Sequence, residues 1–258
     1  MPKNDRLEIL SESADWIAVM KPAGLASIPG RGEDDSVLQQ LAAQTGLPAA
    51  GTADPRLRVV HRLDKDTSGV LLLAKNLDTQ RHLSHQFQNN AVHKEYLAIV
   101  AGSPGTDEGE IDAPLGPHPA NPKRMTVLKH GGRPARTLWK VEQRFRGLAV
   151  LRVLPKTGKT HQIRVHLKHA GMPLAVDPLY NPPRGKGGKQ PAGVFLSSFK
   201  RDYRPTRGED ERPLIDRLTL HAEKLRFRDR DEAEVEVVAP LPKDLRATLN
   251  QLSRHGRG

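Results

Sequence analysis

Cysteine is absent from the 258 residues, which removes disulfide frameworks, thiolate metal sites and thiol nucleophiles from consideration. Aromatic residues are scarce at 4%, too few for the broad stacking platforms on which single-stranded nucleic acid is often laid. Long apolar runs are missing as well. Runs such as that around Val70 to Ala74 fall far short of a membrane span, and the polar opening from Met1 to Ser13 holds no apolar core of a signal peptide. No Lys/Arg-rich amphipathic helix with a large aromatic face offers itself to a membrane surface. The expectation is a soluble, cytoplasmic protein.

Acidic charge is also in short supply. Forty-one Lys plus Arg against thirty Asp plus Glu leave a net +11, a field that concentrates polyanions around the molecule. The apolar share of 36% is ordinary and the length suffices for a substantial core. The reading adopted is one domain over residues 1–258.

Strand-like runs dominate: Trp16–Met20, Arg58–Val60, Val70–Lys75, Lys94–Val100, Thr137–Gln143, Leu148–Leu154, Arg217–His221, Leu225–Phe227 and Glu234–Val238. Three segments read as helices by their spacing. They are Thr79–Asn89, with Asp78 as its cap, Thr160–Ala170, ended by Gly171, and Lys243–Leu252. Many strands and few helices predict an α+β fold around a mixed, largely antiparallel sheet with flanking helices. Two segments read as loops. Residues 116–136 hold Lys123, Arg124, Lys129, Arg133 and Arg136 among Pro and Gly, a composition suited to RNA contact. Residues 181–213 form a basic insertion with five Pro and five Gly, equally consistent with RNA contact or with disorder.

The densest polar cluster runs from Val60 through His61, Arg62, Leu63, Asp64, Lys65, Asp66, Thr67 and Ser68 to Gly69, just before the apolar run. Arg62 and Lys65 favour an ionised Asp64, the state that a nucleophile or a proton-abstracting base requires. On these residues alone an Asp/Thr/Ser turn leading into a strand, with Arg62 in a local ion pair, is the commoner arrangement. A hydrolase acting on a glycosidic bond would need a second carboxylate as acid, and Asp66 is the nearest in sequence. The second cluster opens the Thr160–Ala170 helix. Thr157, Gly158, Lys159 and Thr160 suit phosphate oxygens at a helix start, without the spacing of a Walker loop. His161, Arg164 and Lys168 share a basic stripe. His161 and His166 face differently, and the H-E-x-x-H pattern is missing, so no metal is expected.

Taken in order, these pieces resemble the RluA-type RNA pseudouridine synthases. His61-Arg62-Leu63-Asp64 through Thr67-Ser68-Gly69 and on to Asn76 is similar to the family signature. Lys94-Glu95-Tyr96-Leu97-Ala98 resembles its tyrosine motif, residues 157–167 its third motif, Leu218-Thr219-Leu220-His221-Ala222 its closing strand, and Asp15–Gly24 its opening. The resemblance spans almost the whole chain and outweighs the simple-turn reading of Asp64. It implies a catalytic cleft that binds RNA and isomerises a uridine of ribosomal or transfer RNA to pseudouridine, without cofactor or metal. Asp64 would attack C1′ or take the 2′ proton, Tyr96 would pack on the base, and Arg164 would pair with Asp64. Leu220 would line the pocket and Arg62 would fill the space left by the flipped nucleotide, with His61, Thr67, Lys159 and His161 also contributing to substrate binding. Extrusion of the base points to a stem-loop target. No protein partner is implied, and a monomer is expected. A non-catalytic RNA binder would have no use for Asp64, Tyr96 and Arg164 together. Val176 and Asn181 stand where the family usually has Gly, which bears on a turn beside the cleft rather than on the chemistry.

Overall fold

The computed structural model describes residues 6–30, 35–49, 56–182, 193–200, 203 and 210–256. The elements run β1 (Ile9–Glu12), β2 (Trp16–Lys21), α1 (Val37–Thr45), β3 (Arg58–Val59), β4 (Ser68–Ala74), α2 (Leu77–Gln88), β5 (His93–Ala101) and β6 (Glu108–Asp112). They continue with β7 (Leu115–His118), β8 (Asn121–Val127), β9 (Arg136–Phe145), β10 (Leu148–Pro155), α3 (Gln162–His169), β11 (Leu220–Arg228), β12 (Glu234–Val238) and α4 (Lys243–His255). The fold is α+β with largely antiparallel pairing. Two compact units divide the chain: Met1–Glu95 with His221–Pro240, and Tyr96–Leu220 with Leu241–Gly258.

The first unit is organised around β4. All seven of its residues are buried, which is why this strand reads as an unbroken apolar run rather than an alternating one. β2 lies antiparallel along it, from Trp16 opposite Ala74 to Lys21 opposite Gly69. β3 pairs with its far end, and β11 joins its start in parallel, His221 beside Ser68 and Ala222 beside Gly69. Val70 and Leu72 pack with Trp16, with Leu83 of α2, and with Leu225, Phe227 and Val237. The Trp16 and Phe227 rings meet edge to face at 5.3 Å. The cap of α2 is Asn76, whose side chain accepts the Thr79 amide at 2.8 Å. Asp78, expected as the cap, instead sits in the first turn, where its charge suits the helix dipole. The first helix, α1, lies outside the three helical segments read from the sequence; Ser36 caps it and Gly46, at φ 70°, ends it.

In the second unit β10 pairs with β5 on one side and β9 on the other, and β6 continues beyond β9, all antiparallel. Strand alternation sorts the side chains onto two faces. Leu97, Ile99 and Val150 pack with Leu245 and Leu252 of α4. Ala98, Val100, Ala149, Leu151 and Val153 pack with Ile163 and Leu167 of α3. Within residues 116–136, where the sequence suggests a loop, β7 and β8 form an antiparallel hairpin running from Leu115 opposite Val127. Gly116, Pro117 and Pro122 disguise these strands, because such residues are placed where a ladder is short or at an edge. In the 181–213 segment, residues 183–192, 201–202 and 204–209 lie outside the described residues. Among the described residues no helix is long and apolar enough to cross a membrane.

Gly69 is required where β4 meets β11. Its φ is +128°, and an added Cβ would stand 2.1 Å from the carbonyl oxygen of Ala222. Gly69→Ala should destabilise the protein by about 3 kcal/mol or more, since backbone crowding and left-handed strain act together. Urea unfolding at neutral pH measures this, and a change within experimental scatter would contradict it.

Candidate active site

The loop from His61 to Thr67 is held from behind by the strand that precedes it in space. Lys21, wholly buried at the end of β2, directs its ammonium to the carbonyl oxygens of Pro22, Lys65 and Thr67 at 2.9, 2.7 and 2.8 Å. Ser27 Oγ accepts the Leu63 amide at 3.1 Å and donates to the Leu63 carbonyl at 3.0 Å. The Gly24 amide adds a bond to the Lys65 carbonyl, and the Thr67 amide closes a turn onto the Asp64 carbonyl. These bonds fix the backbone on both sides of Asp64, which is half-buried between the buried Leu63 and the exposed Lys65. Arg62 and Asp66 are exposed, and Thr67 is buried.

His61 faces the packed interior of the same unit. Its ring stacks on Phe87 of α2, with centroids 4.5 Å apart, and its Nε2 accepts the Leu72 amide at 2.9 Å. Burial, aided by the charge of Lys94, lowers its pKa from 6.5 to about 3. An imidazole that must accept from an amide is held neutral, with its proton on Nδ1.

In the second unit, Tyr96 lies on β5 opposite Val153 and packs against the same apolar cluster that contains Leu220. Arg164 is buried on α3, and its Nε and Nη2 fork onto the carboxylate of Asp177, each at 2.8 Å. Asp177 is itself buried and also accepts the amides of Leu179 and Tyr180. The Arg164 guanidinium lies 5.0 Å from the Tyr180 ring centroid. Tyr180 Oη accepts the Met125 amide at 2.8 Å and lies 2.8 Å from His161 Nδ1. His161 precedes α3 with a left-handed backbone, φ 53°. Lys159 meets the helix through its amide, which donates to Gln162 Oε1 at 2.9 Å. The buried Gln162 side chain also receives Thr157 Oγ1 and donates to the Arg136 carbonyl and Thr137 Oγ1.

The residues expected to act on RNA thus fall into two groups. His61, Arg62, Asp64 and Thr67 share one braced loop of the first unit, with His61 turned into the packing. Lys159, His161 and Arg164 gather at the start of α3 in the second, where Tyr96 and Leu220 share a cluster. Lys21, Ser27, Asp177 and Tyr180 were not singled out from the sequence. A lysine closing the apolar run Trp16–Met20 was the available signal for the first. Val176 and Asn181 build their turn without positive φ: Val176 is buried and takes part in bonds with Thr219, and Asn181 Nδ2 donates to the Leu174 carbonyl. Of the cations on 116–136, Arg136 is forked by Glu110, while Lys123, Lys129 and Arg133 are exposed.

A family model described as RNA pseudouridylate synthase matches residues 15–169. The chain is 36% identical to the ribosomal large subunit pseudouridine synthase D of Xanthomonas campestris pv. campestris over 260 residues, covering 97% of this chain and 71% of that protein. It is likewise 36% identical to the synthase of that name from Nitrosomonas europaea, covering 95% of this chain and 65% of the relative. The chain therefore spans about two thirds of the length of these relatives. Among solved structures, human RNA pseudouridylate synthase domain containing 4 superposes with a TM-score of 0.69 at 25% identity, covering 95% of this chain and 93% of that one. The human domain containing 1 protein gives 0.68 at 24%, over 94% and 86%, a likeness of fold. The chain belongs to the RNA pseudouridylate synthase family, whose reaction is the isomerisation of uridine within RNA to pseudouridine.

The neutral His61 has a consequence for stability. The unfolded chain takes up a proton on His61 near pH 6.5, whereas the folded chain resists until about 3. The stabilisation is present above pH 6.5 and is lost as pH falls through this window. His166, also pushed down by burial, adds in the same direction. Unfolding free energy at pH 4.5 should fall below that at pH 7 by about 2 kcal/mol from His61, and His61→Gln should flatten part of that slope. An unchanged slope in the variant would show that His61 is not the group responsible.

Proposed function

We propose that this protein isomerises a specific uridine of ribosomal RNA to pseudouridine, with Asp64 as the group that opens the glycosidic bond. The observation that carries this reading is the family match over residues 15–169, which takes in Asp64, Tyr96 and Arg164. The names of the relatives point to the large ribosomal subunit. A backbone clamped on both sides of Asp64 supports it further, since a nucleophile or base acts best from a fixed position.

Asp64 either adds to C1′ or removes the 2′ proton. Both routes break the N1–C1′ bond and release uracil within the cleft. The base turns and C5 bonds to C1′ as the Asp64–C1′ bond breaks, or as Asp64 returns the 2′ proton; the C5 proton departs with help from Tyr96, and N1 gains a proton. Atoms are only rearranged, so the chemistry calls for no redox partner. Arg164 pairs with the Asp64 carboxylate and holds its orientation through charge-assisted hydrogen bonds. Leu220 supports the base and Arg62 enters the gap in the stack. Lys159 and His161 contact the flanking nucleotides, with His61 and the buried Thr67 supporting the loop beside them. The nucleotide must leave the helix, at a cost of a few kcal/mol, so a stem-loop presents it most readily. The exposed Lys123, Lys129 and Arg133 supply phosphate contacts whose strength falls with salt. The protein acts as a monomer in the cytoplasm.

Pseudouridine mapping on unmodified ribosomal RNA, incubated with the protein and with Asp64→Asn, tests this. The unsubstituted protein should convert one uridine, while Asp64→Asn should lose turnover by about four orders of magnitude or more and still bind RNA. Near-normal conversion by the variant would remove Asp64 from its role, and free uracil in solution would indicate hydrolysis instead.

A further inference from the structure

Tyr180 carries two guanidiniums on one ring. Arg164 lies 5.0 Å from its centroid and Arg124 5.3 Å, both within the range of cation–π attraction. Their circumstances differ. Arg164 is forked by Asp177. No carboxylate pairs with Arg124 among the described residues, and its Nε is buried without an acceptor. A half-buried guanidinium held on a ring, with no carboxylate on it among the described residues, is placed to meet an anion that arrives from outside.

The same turn ties these arginines together. Asp177 Oδ1 accepts the Leu179 and Tyr180 amides while holding Arg164 Nη2, so the carboxylate cannot swing without unmaking the turn. Three residues on, Tyr180 Oη accepts the amide of Met125, the residue after Arg124 on β8, and bonds His161 at the head of α3. Leu115 of β7, Val165 of α3 and Tyr180 share one apolar cluster with Met125 and Val127. The hairpin that presents Arg124 and the helix that carries Arg164 are thereby fastened to a single four-residue turn.

We propose that Asp177 and Tyr180 are positioning residues for two arginines with separate tasks. Asp177 sets the orientation in which Arg164 serves the reaction. Tyr180 holds Arg124 and strand β8 so that Arg124 grips a phosphate of the RNA backbone. The first part rests on the role given to Arg164 above; the second needs only that the protein binds RNA.

Three variants separate the tasks, each measured for single-turnover rate at saturating ribosomal RNA, half-saturating RNA concentration and thermal melting. Asp177→Asn keeps the shape of the turn but loses the charged fork. It should lower the rate at saturation by about 100-fold, in the range of a lost charge-assisted bond, and move half-saturation far less. Arg124→Met should weaken binding by about tenfold and make its salt dependence shallower by about 0.7 to 0.9, the value of one phosphate contact. Tyr180→Phe keeps the ring and removes only the hydroxyl tether. It should raise half-saturation by more than it lowers the rate. If Asp177→Asn fails to fold, Tyr180→Phe and Arg124→Met still decide the binding half, and Asp177→Glu replaces it for the rate. Variants that shift melting alone, or that change rate and half-saturation in equal measure, would overturn the positioning roles. If the unsubstituted protein forms no pseudouridine in the same assay, the assigned activity fails and takes the Asp177 role with it. An unchanged salt slope in Arg124→Met would reject the phosphate contact independently.

Discussion

The ammonium of Lys21 is the interaction on which the first unit's loop depends. Removing such a charge from water costs several kcal/mol unless it is met by partners of matching geometry. Here the partners are three backbone carbonyls, two of them within the 64–67 turn. The carbonyls of Lys65 and Thr67 are drawn inward by the same charge, so the backbone between them is pinned and Asp64 is left at a defined place. Ser27 repeats the arrangement one step earlier at Leu63. A stretch of chain with little regular structure is in this way as constrained as a strand.

Much of this was legible from the residues. β4 announced itself through the run Val70 to Ala74, and β10, β9 and β5 through alternation or apolar density. Those strands have buried faces, and burial is what composition records. α2, α3 and α4 were visible because their apolar spacing must match the surface they cover. β11 read as two pieces, Arg217–His221 and Leu225–Phe227, because Glu223 and Lys224 interrupt the apolar pattern of a strand that continues through them.

What escaped notice lacked such a record. β6 alternates acidic residues with Gly109 and Ile111 because its partners on β9 include Lys140 and Arg136 on one face and Trp139 on the other. The hairpin of β7 and β8 is rich in residues that break strands elsewhere, and its burial is limited to Leu115, Gly116 and part of the second strand. α1 is short and owes its ends to Ser36 and Gly46 rather than to a long stripe. Among the site residues, Asp64, Tyr96 and Arg164 stood out through resemblance to a family, since a lone aspartate in a turn carries no chemical label. Asp177 and Tyr180 were harder still. Their importance lies in contacts with Arg164, Met125 and His161, at separations that no local pattern encodes.

The first unit is assembled from two distant pieces of chain, Met1–Glu95 and His221–Pro240. Leu225, Phe227 and Val237 supply one side of the core that covers Trp16, Val70 and Leu72, and β11 completes the ladder at Ser68 and Gly69. During synthesis on the ribosome, the amino-terminal strands therefore emerge long before their cover exists. Their apolar face and the open edge of β4 stay exposed while more than a hundred further residues are made, which favours late closure and reliance on chaperones.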